Sequence, residues 1–341
     1  IRGYGLTQTV FAVECALDEL ARALEMDPFE LRQKNVVRPG DPMLSLGEEI
    51  SDAEIGSYGL DECVDQVRGA LARGNGVNPP DGGDWLVGTG IAYAMHDAAP
   101  PTEHRSNAAI ELLEDGTFEL TSGTAEFGNG TTTQHIQIAA TTLGTTASRF
   151  HIIQSDTDRT GYDTGAFAST GTFVAGKAVA LAAEALRDRI LSFAAQVMDI
   201  EPGMCRIDND GVICGEGRIS LADLWQAARE HGIQLGLSRK AYGSPRSVAF
   251  NVHGFRLAVH RVSGEIQILQ SVHAADAGNV INPMQLRGQV EGAVAQGIGW
   301  VLYERIVLDD TGKIVNPAFR NYRIPAYADI PRTEIYFADT Y

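Results

Sequence analysis

The stretch FELTSGTAEFGNGTTTQHIQIAATTL, residues 118–143, contains the transition that decides the fold. Residues 118–122 alternate apolar and polar side chains, which is typical of a half-buried strand. Glycines then allow a tight turn, and a helix is predicted from about Thr132 to Leu143. A helix that begins after such a turn has free backbone N–H groups, and its dipole favours an anion. The stretch therefore predicts a ligand-binding loop, with a plain glycine turn capped by threonine as the alternative.

On either side of this stretch the periodicity predicts alternating helices and strands. Further helices are predicted at about Gln8–Met26, Asp61–Arg73, Thr172–Met198 and Pro283–Glu304, with a short one after Asp27-Pro28. Further strands are predicted at Leu86–Met95, Asn107–Leu113, Phe150–Gln154, Val248–Val262 and Glu265–His273. Glycine and proline indicate linkers at residues 74–83 and near 232–245. Together these elements predict an α+β (mixed α/β) fold, with mixed sheets and long packed helices.

Charge and composition narrow the class of protein. The chain has 27 basic and 44 acidic side chains and a net charge of −17. Such a surface repels phosphate backbones, so nucleic acid is excluded as a partner and an anionic cofactor must be held by backbone N–H groups. No apolar run reaches the roughly 18 residues of a membrane span, so no membrane association is expected. Four dispersed cysteines, at positions 15, 63, 205 and 214, predict mostly buried thiols in a reducing compartment.

Two more segments have the composition of binding sites. In TGAFASTGT, residues 164–172, the hydroxyls of Ser169, Thr170 and Thr172 crowd one predicted helix start, although a single hydroxyl suffices for an N-cap. The alternative is a polar loop with one cap. The helix after Asn282-Pro283 has glutamines and glycines on one face, which suits either a hydrogen-bonding ligand or close helix packing.

These segments, taken in order, resemble the molybdenum-cofactor part of the large subunit of the xanthine dehydrogenase/aldehyde oxidase family. RGYGLTQ at 2–8, DPFELRQKN at 27–35 and EFGNG at 126–130 are similar to the family patterns R-G-[FY]-G-x-x-Q, D-P-x-E-L-R-x-x-N and E-M-G-Q-G. ASTGT at 168–172 and QVEGA at 289–293 continue the match, which extends over nearly the whole chain.

The resemblance implies a molybdenum–molybdopterin cofactor, in its cytosine dinucleotide form, with no direct protein ligand to the metal from this chain. The residues that match positions around it are Arg2, Gly128, Asn129, Gly130, Ala168, Ser169, Thr170, Thr172 and Gln289. Asn129 replaces the usual glutamine and is one methylene shorter, so a water could bridge its contact. Tyr4 and Tyr93 match two aromatic residues that sandwich a flat substrate, with an ordinary strand residue as the alternative for Tyr93.

The implied reaction is the hydroxylation of an aromatic N-heterocycle or an aldehyde, with water as the source of oxygen. Electrons would leave through 2Fe–2S clusters and FAD on partner domains or subunits. The resemblance places the general-base glutamate beyond Tyr341, so the catalytic residues are unknown, and a cytoplasmic location is expected.

The implied organisation is an N-terminal helical segment at 1–83 and two molybdopterin-binding subdomains at 84–235 and 236–341, the second truncated, with the remainder of the large subunit as a partner. Two alternative functions are considered: a non-catalytic cofactor-binding or assembly subunit, and a reductive relative that acts on thioesters.

Overall fold

The computed structural model describes residues 2–45, 48–49, 53–98 and 104–340, and its elements alternate along the chain as expected. The helices are α1 (Leu6–Ala23), α2 (Pro28–Asn35), α3 (Leu60–Arg73), α4 (Thr131–Leu143), α5 (Lys177–Met198), α6 (Leu221–Glu230) and α7 (Pro283–Ile298). The strands are β1 (Leu44–Ser45), β2 (Glu48–Glu49), β3 (Ala53–Glu54), β4 (Trp85–Ala98), β5 (Arg105–Leu112), β6 (Phe118–Ser122), β7 (Phe150–Gln154), β8 (Cys205–Asp208), β9 (Gly211–Cys214), β10 (Gly217–Ser220), β11 (Gly236–Tyr242), β12 (Arg246–His260), β13 (Ile266–Asp276) and β14 (Thr333–Phe337). The predicted α+β class, with mixed sheets, is confirmed.

The chain divides into two compact units, each built from separate segments. Unit 1 comprises residues 1–47, 55–96 and 248–341, and unit 2 comprises 48–54 and 97–247. The predicted division at residues 83 and 235 uses consecutive segments, and as a statement about binding subdomains it stays a prediction.

A four-stranded sheet with the order β11-β5-β6-β7 forms the centre of unit 2. Strands β5 and β6 form an antiparallel hairpin, and β7 runs parallel to β6. One face of the sheet packs against α4 and α5 around buried residues that include Leu120 and Leu186. Helix α5 contributes many alanines to this core, and their small side chains let the helix approach the sheet closely.

The linker predicted near residues 232–245 is wrong, because residues 236–242 form the edge strand β11. Its backbone pairs with β5 in antiparallel register, with Leu237 opposite Ile110. Ala241 is buried against the core while Arg239 and Lys240 are exposed. Charged side chains on an outer strand are a common means of keeping it from pairing with another chain, and they also conceal the strand from a search for apolar alternation.

The cysteine prediction also needs correction. Strands β8, β9 and β10 form a small antiparallel sheet in unit 2, where Cys205 is opposite Cys214 and the two are joined by a disulfide. Of the two free cysteines, Cys63 is buried and Cys15 is exposed. The expectation of mostly buried thiols therefore holds for Cys63 alone.

Unit 1 is built around the antiparallel pair β12–β13, with β14 parallel to β13. Helix α3 packs over this sheet, and Val64, Val67 and Phe250 are buried between them. The approach is closest at Gly254, where a Cβ would lie only 2.5 Å from Leu71 Cδ1. Glycine at this position thus allows the helix to contact the sheet.

Helices α1 and α2 are held together by the buried side chain of Arg32. Its Nε is 2.8 Å from Glu14 Oε2, and its Nη2 is 2.8 Å from Asp18 Oδ1. The side chain of Arg32 is only 1% exposed, so its charge is stabilised by these two carboxylates. The short helix predicted after Asp27-Pro28 is confirmed as α2, and Asp27 caps it by accepting hydrogen bonds from the N–H groups of Phe29 and Glu30.

Within the described part of the chain, no helix has both the length and the apolarity to cross a bilayer.

Candidate functional site

The loop before α4 is organised around the carboxylate of Glu126. Its Oε1 accepts hydrogen bonds from the N–H groups of Gly128 at 2.7 Å and Gly130 at 3.1 Å. Its Oε2 accepts one from the N–H of Thr132 at 3.0 Å. The anion expected at this helix start is therefore present, but it is a side chain of the loop itself. No threonine side chain caps α4, so the capping alternative is wrong as well.

The hydrogen bonds to Glu126 outweigh the cost of its partial burial. Burial raises the pKa of this carboxyl group, whereas the N–H groups of Thr132, Gly130 and Gly128 lower it, and the net effect is a lowered pKa. The ionised form is thus the one that fits the loop.

Asn129, one of the predicted cofactor contacts, is also turned toward its own loop. Its Oδ1 accepts from Thr131 Oγ1 at 3.2 Å, and its Nδ2 donates to the carbonyl of Ala125 at 3.4 Å. On the outside of the loop, Phe127 is 68% exposed. Gly128 has φ +93°, and no atom lies within 4 Å of the place where a Cβ would stand. A ligand would therefore meet the backbone near residue 128, while the Asn129 amide stays on the inner side.

The second predicted loop, residues 164–172, has a strained backbone at its centre. Ala168 and Ser169 have φ values of 54° and 61°, in the left-handed region that favours glycine. Ser169 is exposed, as expected for a contact residue. Thr170 is buried, and its hydroxyl donates to the carbonyls of Gly165 and Phe167, so this hydroxyl hydrogen is used within the loop. Thr172 donates to Gln134 Oε1 on α4.

The structure brings these two loops of unit 2 together. A Cβ at Gly171 would be 3.1 Å from Thr131 Cγ2 and 3.9 Å from Asn129 Nδ2. The fully buried His135 on α4 links them further, because its Nε2 lies 3.0 Å from the carbonyl oxygen of Gly171. Burial lowers the pKa of His135 even though this carbonyl raises it, so the ring is neutral and donates from Nε2.

The carboxylate of Asp163 also connects the same two loops. Its carboxylate accepts hydrogen bonds from Ser106 Oγ at 2.6 Å, Thr124 Oγ1 at 2.9 Å and the N–H of Gly165 at 2.7 Å. These donors belong to β5, to the first loop and to the second loop. Sequence reasoning missed the roles of Glu126, Asp163 and His135, although an acidic residue just ahead of a helix start is a signal that could have been used for Glu126.

In unit 1 the structure pairs two other predicted residues. The guanidinium Nη2 of Arg2 donates to Gln289 Oε1 at 2.9 Å, and a Cβ at Gly292 would lie 3.6 Å from Arg2 Nη1. Tyr4, two residues after Arg2, is 69% exposed. Arg2, Tyr4 and Gln289 therefore offer a cation, an aromatic face and an amide within one unit.

The substrate-stacking role predicted for Tyr93 is not supported by its position. Tyr93 lies on the same face of β4 as Ile91, two residues away, and this face packs into the core of unit 1. The Tyr93 ring is 8% exposed there and contacts Phe29. Burial raises its pKa, with the nearby Arg68 and Arg32 opposing that change. The alternative considered for it, an ordinary strand residue, agrees better with this environment.

The polar groups of each unit, taken separately, are compatible with binding part of a flat, polar, phosphate-bearing cofactor. In unit 2, the lack of a side chain at Gly128 and Gly165 allows close approach, because nothing lies within 4 Å of either Cβ position. In unit 1, Arg2 supplies a positive charge in a chain whose net charge is −17. Among the residues that the structure describes, no group of three or more His, Cys, Asp or Glu side chains is arranged to hold a metal ion.

Comparison with known families identifies the class of protein. Residues 65–331 match one family model described as a molybdopterin cofactor-binding domain, and residues 1–36 match a second with the same description. The chain belongs to this family, in the form found in large subunits of the xanthine dehydrogenase/aldehyde oxidase type, and the resemblance seen in the sequence is confirmed.

Individual relatives have several different functions. The chain is 32% identical to a probable hypoxanthine oxidase, XdhD, of Escherichia coli K12, covering 97% of this chain and 35% of that protein. It is 32% identical to the putative xanthine dehydrogenase molybdenum-binding subunit XdhA of the same organism, over 99% of this chain and 46% of that one. It is 29% identical to the nicotine 6-hydroxylase large subunit of Paenarthrobacter nicotinovorans, over 99% and 44%. The chain thus spans 35% to 46% of the length of these relatives.

Solved structures show the same fold. Quinoline 2-oxidoreductase from Pseudomonas putida 86 superposes with a TM-score of 0.82 at 24% identity, covering 97% of this chain and 45% of that one. Carbon monoxide dehydrogenase from Oligotropha carboxidovorans gives a TM-score of 0.83 at 23% identity, covering 97% and 44%.

Proposed function

We propose that this chain is the cofactor-binding part of a molybdenum hydroxylase that acts on an aromatic N-heterocycle or an aldehyde, with oxygen taken from water. The observation that carries the proposal is the contact between the two loops of unit 2 at Gly171 and Thr131. The sequence separates these loops, yet both match segments that surround the cofactor in the family.

The proposed cofactor contacts follow from the geometry of each unit. In unit 2 the backbone at Gly128, Gly130 and Ala168 and the hydroxyls of Ser169 and Thr172 would contact a pterin. In unit 1 the Arg2 guanidinium, oriented by Gln289, would bind a phosphate. When bound, the molybdenum cofactor supplies a metal centre that takes electrons from the substrate.

The substrate contact that remains from the predicted pair is Tyr4. Its exposed ring is suited to offset stacking on a flat heterocycle, a contact of about 0.5–1.5 kcal/mol. We include in the proposal iron–sulfur and FAD partner subunits, the remainder of the large subunit, the cytosine dinucleotide form of the cofactor and a cytoplasmic location. Names such as "large subunit" and "molybdenum-binding subunit" among the relatives support a multi-subunit assembly.

The first test is chemical analysis of the purified enzyme that contains this chain. We expect molybdenum and iron in it, together with transfer of the label from ¹⁸O water into the product. An active preparation without molybdenum would contradict the proposal. Molybdenum with reduction of a thioester and no incorporated label would favour the reductive alternative, and molybdenum without turnover would favour an assembly subunit.

The loop contact can be tested by widening it. In Gly171→Val, a Cβ only 3.1 Å from Thr131 Cγ2 must push the two loops apart. We expect at least a fivefold loss of bound molybdenum per folded chain, on the order of 1 kcal/mol of cofactor affinity. The matched control is Gly203→Val, because nothing lies within 4 Å of a Cβ at Gly203, in the same unit. Equal molybdenum content in the two variants would show that the contact does not shape the site.

A further inference from the structure

The N–H groups at the start of α4 are already bound to a tethered anion. The carboxylate of Glu126 accepts hydrogen bonds from Gly128, Gly130 and Thr132. A side chain fixed two residues from its first partner competes at a high effective concentration, so an external phosphate would have to displace it. In a chain of net charge −17, an external anion is disfavoured further.

We propose that Glu126 is a positioning residue that holds the loop 126–132 in its cofactor-binding shape, and that the cofactor meets the outer side of this loop rather than the N–H groups of the helix start. This inference rests on the proposed function. Glu126 bridges the loop from residue 128 to residue 132, so that Phe127 and the backbone at Gly128 are left outside. The same bridge keeps Asn129 inward, where it bonds Thr131 and Ala125.

Two substitutions distinguish the effect of the Glu126 charge from the effect of its side-chain size. Removal of the carboxylate in Glu126→Ala leaves three N–H donors facing the space that the carboxylate occupied, where a formate ion could bind. In Glu126→Gln that space stays filled, but an amide NH₂ must face at least one of those N–H groups, where no hydrogen bond is possible.

The experiment measures retention of cofactor by the molybdenum-loaded enzyme that contains this chain. Molybdenum per chain, and the fluorescence of the released, oxidised pterin, would be followed during extended gel filtration. We expect both Glu126→Ala and Glu126→Gln to lose cofactor about tenfold faster than the wild type, since one charge-assisted hydrogen bond already accounts for that factor. Formate should restore retention in Glu126→Ala, and should restore nothing in Glu126→Gln.

Two controls make the result specific. Formamide, which has the shape of formate without its charge, should not rescue Glu126→Ala. Asp115→Asn removes another loop-capping carboxylate of unit 2, one that binds Thr117 in the hairpin at the opposite end of β6, and it should retain cofactor as the wild type does. Circular dichroism at the assay temperature establishes that each variant is folded, and if Glu126→Ala is not, Glu126→Gln carries the test.

Several results would overturn the inference. They are wild-type retention in both variants, rescue of Glu126→Ala by formamide as well as by formate, no rescue by formate, or an equal loss in Asp115→Asn. A wild-type enzyme that contains no molybdopterin would instead contradict the proposed function.

Discussion

Asp163 is a single side chain on which the geometry of both loops in unit 2 depends. Its two oxygens accept three hydrogen bonds, from donors on β5 and on each loop. Two of these donors, Ser106 and Thr124, are almost completely buried. A buried hydroxyl that loses its acceptor has no water to replace it, so the carboxylate contributes more than an exposed one would.

We expect Asp163→Asn to lower the free energy of unfolding by about 1–3 kcal/mol, because an NH₂ group then faces hydroxyl or N–H donors that need an acceptor. Denaturant unfolding followed by circular dichroism would measure it. Asp158→Asn is the control, since Asp158 is exposed in the preceding turn, and its effect should stay within about 0.5 kcal/mol. If the two variants are equally stable, Asp163 does not hold the loops.

At this scale the sequence predicted two polar loops at helix starts, but not the hydrogen bonds that the side chains of these loops make. The residues of the two loops do meet in unit 2, at Gly171 and Thr131. The inward turn of Asn129 could not be read from the sequence, because local hydrogen bonds compete with a ligand for the same amide. The burial of Tyr93 in the core of unit 1 does not follow from the resemblance that implies its stacking role, and strand periodicity identifies two faces without saying which one is buried.

At the scale of elements, the pairing of α1 and α2 depends on Arg32. The guanidinium is bound to two carboxylates and also donates to the carbonyl of Pro28. Burial lowers the pKa of Arg32, but the hydrogen bonds and charges of Glu14 and Asp18 raise it by more. The charged form is therefore an integral part of the helix pair.

Substitution of this residue should separate the two helices. Arg32→Met leaves the partly buried Glu14 carboxylate without its cationic partner, and we expect a loss of about 3 kcal/mol in the free energy of unfolding. Lys34→Met, which breaks only the exposed pair with Glu30, should cost less than about 0.5 kcal/mol. Thermal or denaturant unfolding would compare them, and a similar small effect of both changes would show that Arg32 is not required.

Element prediction succeeded where periodicity is strong and failed where it is weak. Helix α4, predicted from Thr132 to Leu143, runs from Thr131 to Leu143. The sequence of strand β11 resembles a linker, because the strand is stabilised by pairing with β5 and has no apolar pattern of its own. Strand β14 was not predicted, and it too depends on a distant partner, β13.

At the scale of the whole molecule, two histidines couple folding to pH. His253 and His273 face each other across β12 and β13, with ring centroids 5.0 Å apart. Burial, with His273 adding to it, lowers the pKa of His253 to about 3, and burial lowers the pKa of His273 to about 4. In the unfolded chain both groups titrate near about 6.5.

The unfolded chain consequently binds more protons than the folded chain between about pH 4 and 6.5. The stabilisation is fully present above about pH 6.5 and is lost as the pH falls. Below that value we expect the free energy of unfolding to decrease by up to about 1.4 kcal/mol per pH unit for each histidine. Denaturant titrations between pH 8 and 5 would measure the slope, which should be shallower in His253→Gln. An unchanged slope in that variant would assign the pH dependence to other groups.

The pairing of β11 with β5 affects how the chain folds while the ribosome makes it. Leu237 on β11 pairs with Ile110 on β5, so the two strands are far apart in the sequence. The strands β12, β13 and β14, which complete unit 1, are made later still, from Arg246 onward. While a ribosome makes the intervening residues, the hydrogen-bonding edge of β5 has no partner from its own chain, and contacts so distant in sequence form slowly. An open strand edge attracts other nascent chains. Because this edge is covered only once one short charged strand has been made, we expect chaperones to increase the yield of folded chain during translation.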